Sequence, residues 1–182
     1  MPHAGVIGMQ QSGKTTLSLC MARGYRKAGF AVLVLDPHLN PKWQADWMTD
    51  DLEKFLRKVK ASERCALFVE ETGDESNGEK PLGRQPGFAW LVTQAHHRGH
   101  VTHYLSQYHA QVPPVVRCNV RRLYLFSVGL MSAKVWAEQL AQPSLPDLVS
   151  RLGDHEFIIT GTKRVPPRVC KLAADDVRRL HL

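Results

Sequence analysis

The sequence predicts an α/β fold: a mostly parallel central sheet flanked by helices, with a small C-terminal β-hairpin. Three observations predict it. Apolar runs of strand type alternate with segments of helical spacing from residue 4 to residue 140. The first run leads directly into Gly8-Met9-Gln10-Gln11-Ser12-Gly13-Lys14-Thr15, a complete match to the phosphate-binding pattern G-x-x-x-x-G-K-[ST]. Near the C-terminus two β-rich runs flank Gly161 and Pro166-Pro167, as in a hairpin.

Taken in order, Ala4-Gly5-Val6-Ile7 is the first strand and the glycine-rich octet follows its carboxyl end. Residues 16–27 place Leu17, Leu19, Cys20, Met21 and Gly24 among polar residues, which predicts a helix that Gly29 stops. Ala31-Val32-Leu33-Val34-Leu35 is a second strand ending at Asp36-Pro37, and residues 50–60 return to helical spacing through Leu52, Phe55, Leu56 and Val59. Residues 65–69 supply a third strand, 88–94 a helix, 101–106 a fourth strand, 120–128 a fifth, and 131–140 a helix. Residues 156–160 and 168–172 form the hairpin. Such alternation implies helices wrapped around a parallel sheet, with ligands and the chemistry-bearing motifs at the carboxyl ends of strands. The sequence holds no internal repeat, and its one long polar stretch is 72–87.

A chain of 182 residues, 43% hydrophobic, is expected to bury one core and to form a single domain, 1–182, whose motifs lie in 1–130. No apolar stretch approaches bilayer length and the N-terminus lacks a leader pattern, so a soluble, unprocessed protein is expected. Cys20, Cys65, Cys118 and Cys170 are widely spaced, with no C-x-x-C pair, and each lies in or beside an apolar segment. Four buried thiols in a reducing compartment are expected. A net charge of +7 and a pI near 9.4 point to a polyanionic partner. The basic residues collect in 84–103, 117–122 and 163–179.

The candidate nucleotide-binding residues are Gly8, Gln10, Gln11, Ser12, Gly13, Lys14, Thr15 and Thr16. The glycines let the backbone curl so that successive N–H groups face inward, Lys14 adds a point charge for β/γ-phosphates, and the Thr15 hydroxyl can ligate Mg²⁺. The helix N-terminus adds its partial positive charge at the same place. ATP and Mg²⁺ are therefore the expected cofactors. The third strand runs into Glu70-Glu71, where a P-loop ATPase places one carboxylate for the metal and often a second for the attacking water. Alternate side chains diverge at a strand end, so Glu70 can address the metal shell while Glu71 polarises water. Glu70 is one methylene longer than the usual Asp, and the division of roles within the pair stays open. Gln107 ends the fourth strand, where its amide can both donate to a phosphate oxygen and accept from the lytic water. His96, His97, His100, His103 and His109 lack the companions of a tetrahedral metal site and are expected at the surface or on phosphates.

Together, Gly8 to Thr15, Val34-Leu35-Asp36-Pro37-His38, Val69-Glu70-Glu71, His97-Arg98-Gly99-His100 and Leu105-Ser106-Gln107 resemble the FtsK/HerA superfamily of P-loop ATPases. With Val116-Arg117-Cys118-Asn119 before a strand, the chain looks most like the genome-packaging ATPases of tailless membrane-containing phages and related viruses. The resemblance covers roughly residues 3 to 130. It implies a RecA-like fold, ATP hydrolysis coupled to movement of DNA held by its backbone, and self-assembly into a ring, usually hexameric. It also implies capsid or vertex proteins as partners, and a place at the virion packaging vertex and in the host cytoplasm. An arginine serving the neighbouring subunit is implied as well, with Arg98 and Arg117 as the candidates.

The leading expectation is a translocase that packages viral double-stranded DNA into a preformed capsid. Packaging or export of single-stranded DNA in phage assembly is a close alternative, and a P-loop small-molecule kinase is an alternative from another class. Glu70, Glu71 and Gln107 favour water over a metabolite as the phosphoryl acceptor.

Overall fold

The computed structural model of the chain describes residues 3–70, 82–162 and 165–173. Among them are eight strands: β1 (His3–Ile7), β2 (Ala31–Leu35), β3 (Trp47–Thr49), β4 (Cys65–Val69), β5 (Val101–Ser106), β6 (Val120–Leu125), β7 (Glu156–Gly161) and β8 (Arg168–Lys171). They form one sheet in the order β3-β2-β4-β5-β1-β6-β7-β8. The first six in that order pair in parallel, and the β7–β8 hairpin continues the same sheet antiparallel from β6. The α/β architecture with a mostly parallel sheet is thus the observed one, and the predicted hairpin is an extension of it.

Helices cover both faces. On one side α1 (Lys14–Lys27) lays Leu17, Leu19 and Ala22 against Val6, Val32, Val34, Phe68 and Leu105, with Trp43, Phe126 and Phe157 filling the margins. On the other, α2 (Leu52–Lys60), α3 (Phe88–Thr93), α4 (Pro114–Asn119), α5 (Leu130–Leu140) and α6 (Leu145–Ser150) bury Phe55, Phe88, Val116, Trp136 and Leu145 against Leu33, Leu67, Tyr104 and Leu123. Each large side chain so buried contributes about 1.5–3 kcal/mol, which makes the two packed layers, rather than local propensity, the main source of stability. α2 starts where Asp51 caps it, its Oδ1 accepting from Lys54 N at 3.0 Å.

Several elements differ from expectation. The fifth predicted strand, 120–128, pairs only to Leu125. Phe126 N still donates to Ile7 O at 2.8 Å, but at Gly8 the chain beside it turns into the octet and leaves Ser127 with a single bond, from Met9 N to its carbonyl at 3.0 Å. The short edge strand β3, α4 and α6 were not foreseen. Three residues are too few for a period to show, and α4 and α6 carry Pro in their first turn, where it is tolerated because that N–H has no helical partner.

The thiols differ too. None of the four is in a disulfide, but only Cys65 is buried; Cys20 and Cys170 are half-buried and Cys118 is exposed. Nor are all the histidines superficial. His100 is fully buried, accepting from Cys65 N at its Nδ1 (3.1 Å) and contacting Val59 O through Nε2 (3.2 Å), so it fastens the start of β5 to the start of β4 and the end of α2. His103 is also buried, stacked on Phe68 at 4.7 Å. A strand covered on both faces buries its polar residues as well as its apolar ones.

Candidate active site

The loop after β1 is held from both sides. Gly8 N donates to Ser106 O of β5 at 3.2 Å and Met9 N donates to Ser127 O beyond β6 at 3.0 Å. Gln11 and Gly13 adopt left-handed backbone, φ 59° and 103°, which turns the chain back on itself before α1 begins. A Cβ on Gly13 would also lie 2.8 Å from Leu172 Cδ1 and 3.3 Å from Phe126 Cε1, so the position excludes a side chain on two counts. Those contacts show that the chain just after the C-terminal hairpin packs on the loop. The sequence left the role of that tail open; the demand for glycine at 13 was the signal.

α1 starts at Lys14 with Gly13 as its cap residue, no capping side chain and no acid in its first turn. Its positive end therefore opens onto the loop, and Lys14 Nζ crosses the mouth to donate to Met9 O at 2.8 Å. Ser12 Oγ is buried and has no hydrogen-bond partner among the described residues. An uncapped helix start, a curled glycine loop, a lysine at its rim and a spare buried hydroxyl fit a polyphosphate. Of the other predicted contacts, Gln10 and Gln11 are exposed, Thr15 is half-buried and Thr16 is buried in the first turn of α1.

Strand order brings the remaining groups together. β5 lies between β1 and β4, so Gln107, directly after β5, stands between the loop and Glu70, directly after β4. Two strand spacings separate the loop from Glu70, about 10 Å, which accommodates a phosphate chain and a water. Glu70 is half-buried and its N–H donates to Leu35 O at 2.9 Å, which ties it to β2. Next to it Asp36, fully buried, accepts from His38 N (2.8 Å) and Asn40 N (3.0 Å) and so shapes the Asp-Pro-His turn. Thr15, in the first turn of α1, and Glu70, directly after β4, offer hard oxygen donors, the chemistry Mg²⁺ takes. Glu71 and residues 72–81 of the polar loop lie outside the described residues.

A relay that the sequence did not reveal holds the segment around Gln107. Gln111 Oε1 accepts from Gln107 N at 3.1 Å and from Ser106 Oγ at 3.2 Å. His109 Nδ1 meets Ser132 Oγ at 2.8 Å, and Arg117 Nη1 donates to His109 O at 2.9 Å. Arg117 is thereby linked to the turn that follows Gln107. Arg98 is not near this end: with Gly99 and His100 it precedes β5, at the amino end of the sheet, where its carbonyl accepts from Arg64 N at 3.0 Å. The Arg-Gly-His motif therefore departs from the expectation that every motif sits at a carboxyl end.

Sheet order and glycine-rich loop define a P-loop ATPase fold. No family model matches the chain, and no curated protein matches it by sequence. Solved structures do. The genome packaging NTPase B204 from Sulfolobus turreted icosahedral virus 2, in complex with AMPPCP, superposes with a TM-score of 0.71 at 13% identity over 94% of this chain and 98% of that one. The N-terminal domain of zonular occludens toxin from Neisseria meningitidis gives 0.58 at 14% identity over 97% of each chain. The pCW3 conjugation coupling protein TcpA, with ATPγS, gives 0.66 at 12% identity over 99% of this chain and 64% of that one.

Proposed function

We propose that the chain is an ATP-hydrolysing DNA translocase that packages viral double-stranded DNA into a preformed capsid. The observation that carries the reading is the position of β5, which sets Gln107 between the loop after β1 and Glu70 at the end of β4. The similarity to a genome packaging NTPase over nearly the whole length of both chains supports the cargo.

In this reading water attacks the γ-phosphorus of ATP, the bond to the bridging oxygen breaks, and ADP and orthophosphate leave. Residues 8–16 would hold the phosphates through backbone N–H groups with Lys14 neutralising charge on them, and Thr15 with Glu70 would hold Mg²⁺, which would supply further neutralisation of phosphate charge. Glu71 accepts the proton of the attacking water, and Gln107 orients that water and reports its loss through the turn after β5. Of the two arginines proposed to serve a neighbouring subunit in a ring, Arg117 is the one bonded to that turn. The protein is further proposed to act at the packaging vertex and in the host cytoplasm, on DNA bound through its phosphates without sequence preference.

The test is ATP turnover with duplex DNA, with single-stranded DNA and with a panel of small phosphoryl acceptors. Stimulation by duplex of at least several-fold, with orthophosphate as the product, is expected. Stimulation by single strands alone would shift the cargo to single-stranded DNA, and phosphate transfer to a small acceptor would replace the ATPase reading with a kinase.

A further inference from the structure

At the amino ends of β1 and β6, one strand length (about 15 Å) from the phosphate-binding loop, the surface opens into a cavity of about 510 Å³. Among the described residues its polar lining is His3, His96, Asn119, Arg121, Arg122 and Thr162, none of them acidic. Two features show that this is a built site rather than a gap between basic surface residues.

The first is the backbone. Consecutive strand residues point to opposite faces, yet Arg121 and Arg122 line one cavity. The register explains it: His3 pairs with Val120 and Ala4 with Arg122, so Arg121 is the extra residue of a β-bulge, the device that re-aims a side chain. Gly161, paired with Arg122 in β7, lets the displaced Arg121 carbonyl come so close that any side chain at 161 would collide with it. The second is His3. It is 6% exposed; the Val92 backbone bears on its ring, but neither ring nitrogen makes a hydrogen bond of normal geometry among the described residues, and His96 stands edge-on to it at 6.0 Å. A buried imidazole beside the Arg121 charge and a second imidazole, in a cavity that Arg122 also lines, is a cluster rich in donors with no carboxylate among its described lining residues.

We propose that this cavity is a second anion site, distinct from the nucleotide loop, that takes a phosphate group. Bidentate guanidinium donors match a tetrahedral oxyanion, and His3 and Thr162 complete the donor set around it. Two sources present that chemistry: the phosphodiester backbone of a nucleic acid, and free phosphate or pyrophosphate. Burial, and then the proximity of His96, hold His3 down at about 4, so its ring is neutral near pH 7 and becomes easier to protonate when an anion arrives.

The site does not depend on the ATPase reading and is tested by binding alone. The probes are inorganic phosphate, pyrophosphate and a short duplex DNA, added to the Lys14→Ala protein so that the loop does not compete. The His3 and His96 ring resonances are followed by NMR, and DNA binding by fluorescence anisotropy at several salt concentrations. Saturable shifts of both histidines are expected, abolished in Arg121→Gln and Arg122→Gln. If the backbone is the source, each variant also weakens DNA binding about five-fold or more and lowers the salt slope by about 1. Shifts with phosphate or pyrophosphate but not with duplex support the site and assign it to a small anion. Histidine resonances in the otherwise native chain that move with none of the three probes overturn it, whatever the arginine variants do to folding.

Discussion

Lys14→Ala is expected to lower ATP turnover by about 100-fold or more while leaving the melting temperature nearly unchanged. The lysine sits at the rim of the loop, where its bond to Met9 O is solvent-exposed and contributes little to folding. Its charge faces the place where negative charge develops during transfer, and removing a single preorganised donor from such a site costs about 10²–10³-fold in rate. Steady-state phosphate release together with a thermal melt separates the two effects. A variant that melts like the parent and hydrolyses ATP at an undiminished rate would remove the octet from the chemistry.

The second large effect concerns acid. His103 is fully buried between Tyr25 and Phe68, and burial, with a smaller contribution from His3, pushes it down to about 4 from the ordinary 6.5. The unfolded chain therefore takes up a proton at about pH 6.5 that the folded chain refuses until about pH 4. Stability is undiminished above the upper value, falls as the pH drops between the two and levels off below the lower one. A shift from 6.5 to about 4 corresponds to roughly 3 kcal/mol for this group, and His3, lowered in the same direction, adds to it. This is a large part of the total stability of a typical domain. Urea unfolding at several pH values through that window checks it. His103→Phe, which keeps the stack on Phe68, is expected to flatten the dependence, and an unchanged slope in that variant would show that the proton is taken up elsewhere.

Much of the fold was legible because two of its central strands, β2 and β4, are apolar without interruption. Residues 31–35 and 65–69 were bounded correctly since a strand buried on both faces leaves a short continuous run between turn residues, and 101–106 was bounded correctly although Thr102, His103 and Ser106 interrupt its apolar residues. Strand order was not legible. Periodicity says which face of a strand is buried but not which strand lies beside it, so the placement of β5 between β1 and β4, on which the site depends, came only from the structure. The same limit explains His103 and His100: polar residues in β5, or just before it, look superficial until the sheet is seen to be covered on both sides. The octet stands out in the sequence because its pattern is carried by local backbone, whereas Arg98, which precedes β5 and so lies at its amino end, was grouped with carboxyl-end residues on the resemblance alone. The relay from Arg117 through His109 to the turn beyond Gln107 joins residues eight apart through a carbonyl, which no motif encodes.

The central claim is that nucleotide hydrolysis at this edge moves duplex DNA. The most direct measurement is displacement of a tightly bound roadblock from the end of a duplex by the protein, with ATP, with a non-hydrolysable analogue and with the Lys14→Ala variant. The expected result is displacement with ATP alone and only by the parent protein. Turnover that is stimulated by duplex but never displaces the roadblock would contradict the claim and leave the chain a DNA-dependent switch.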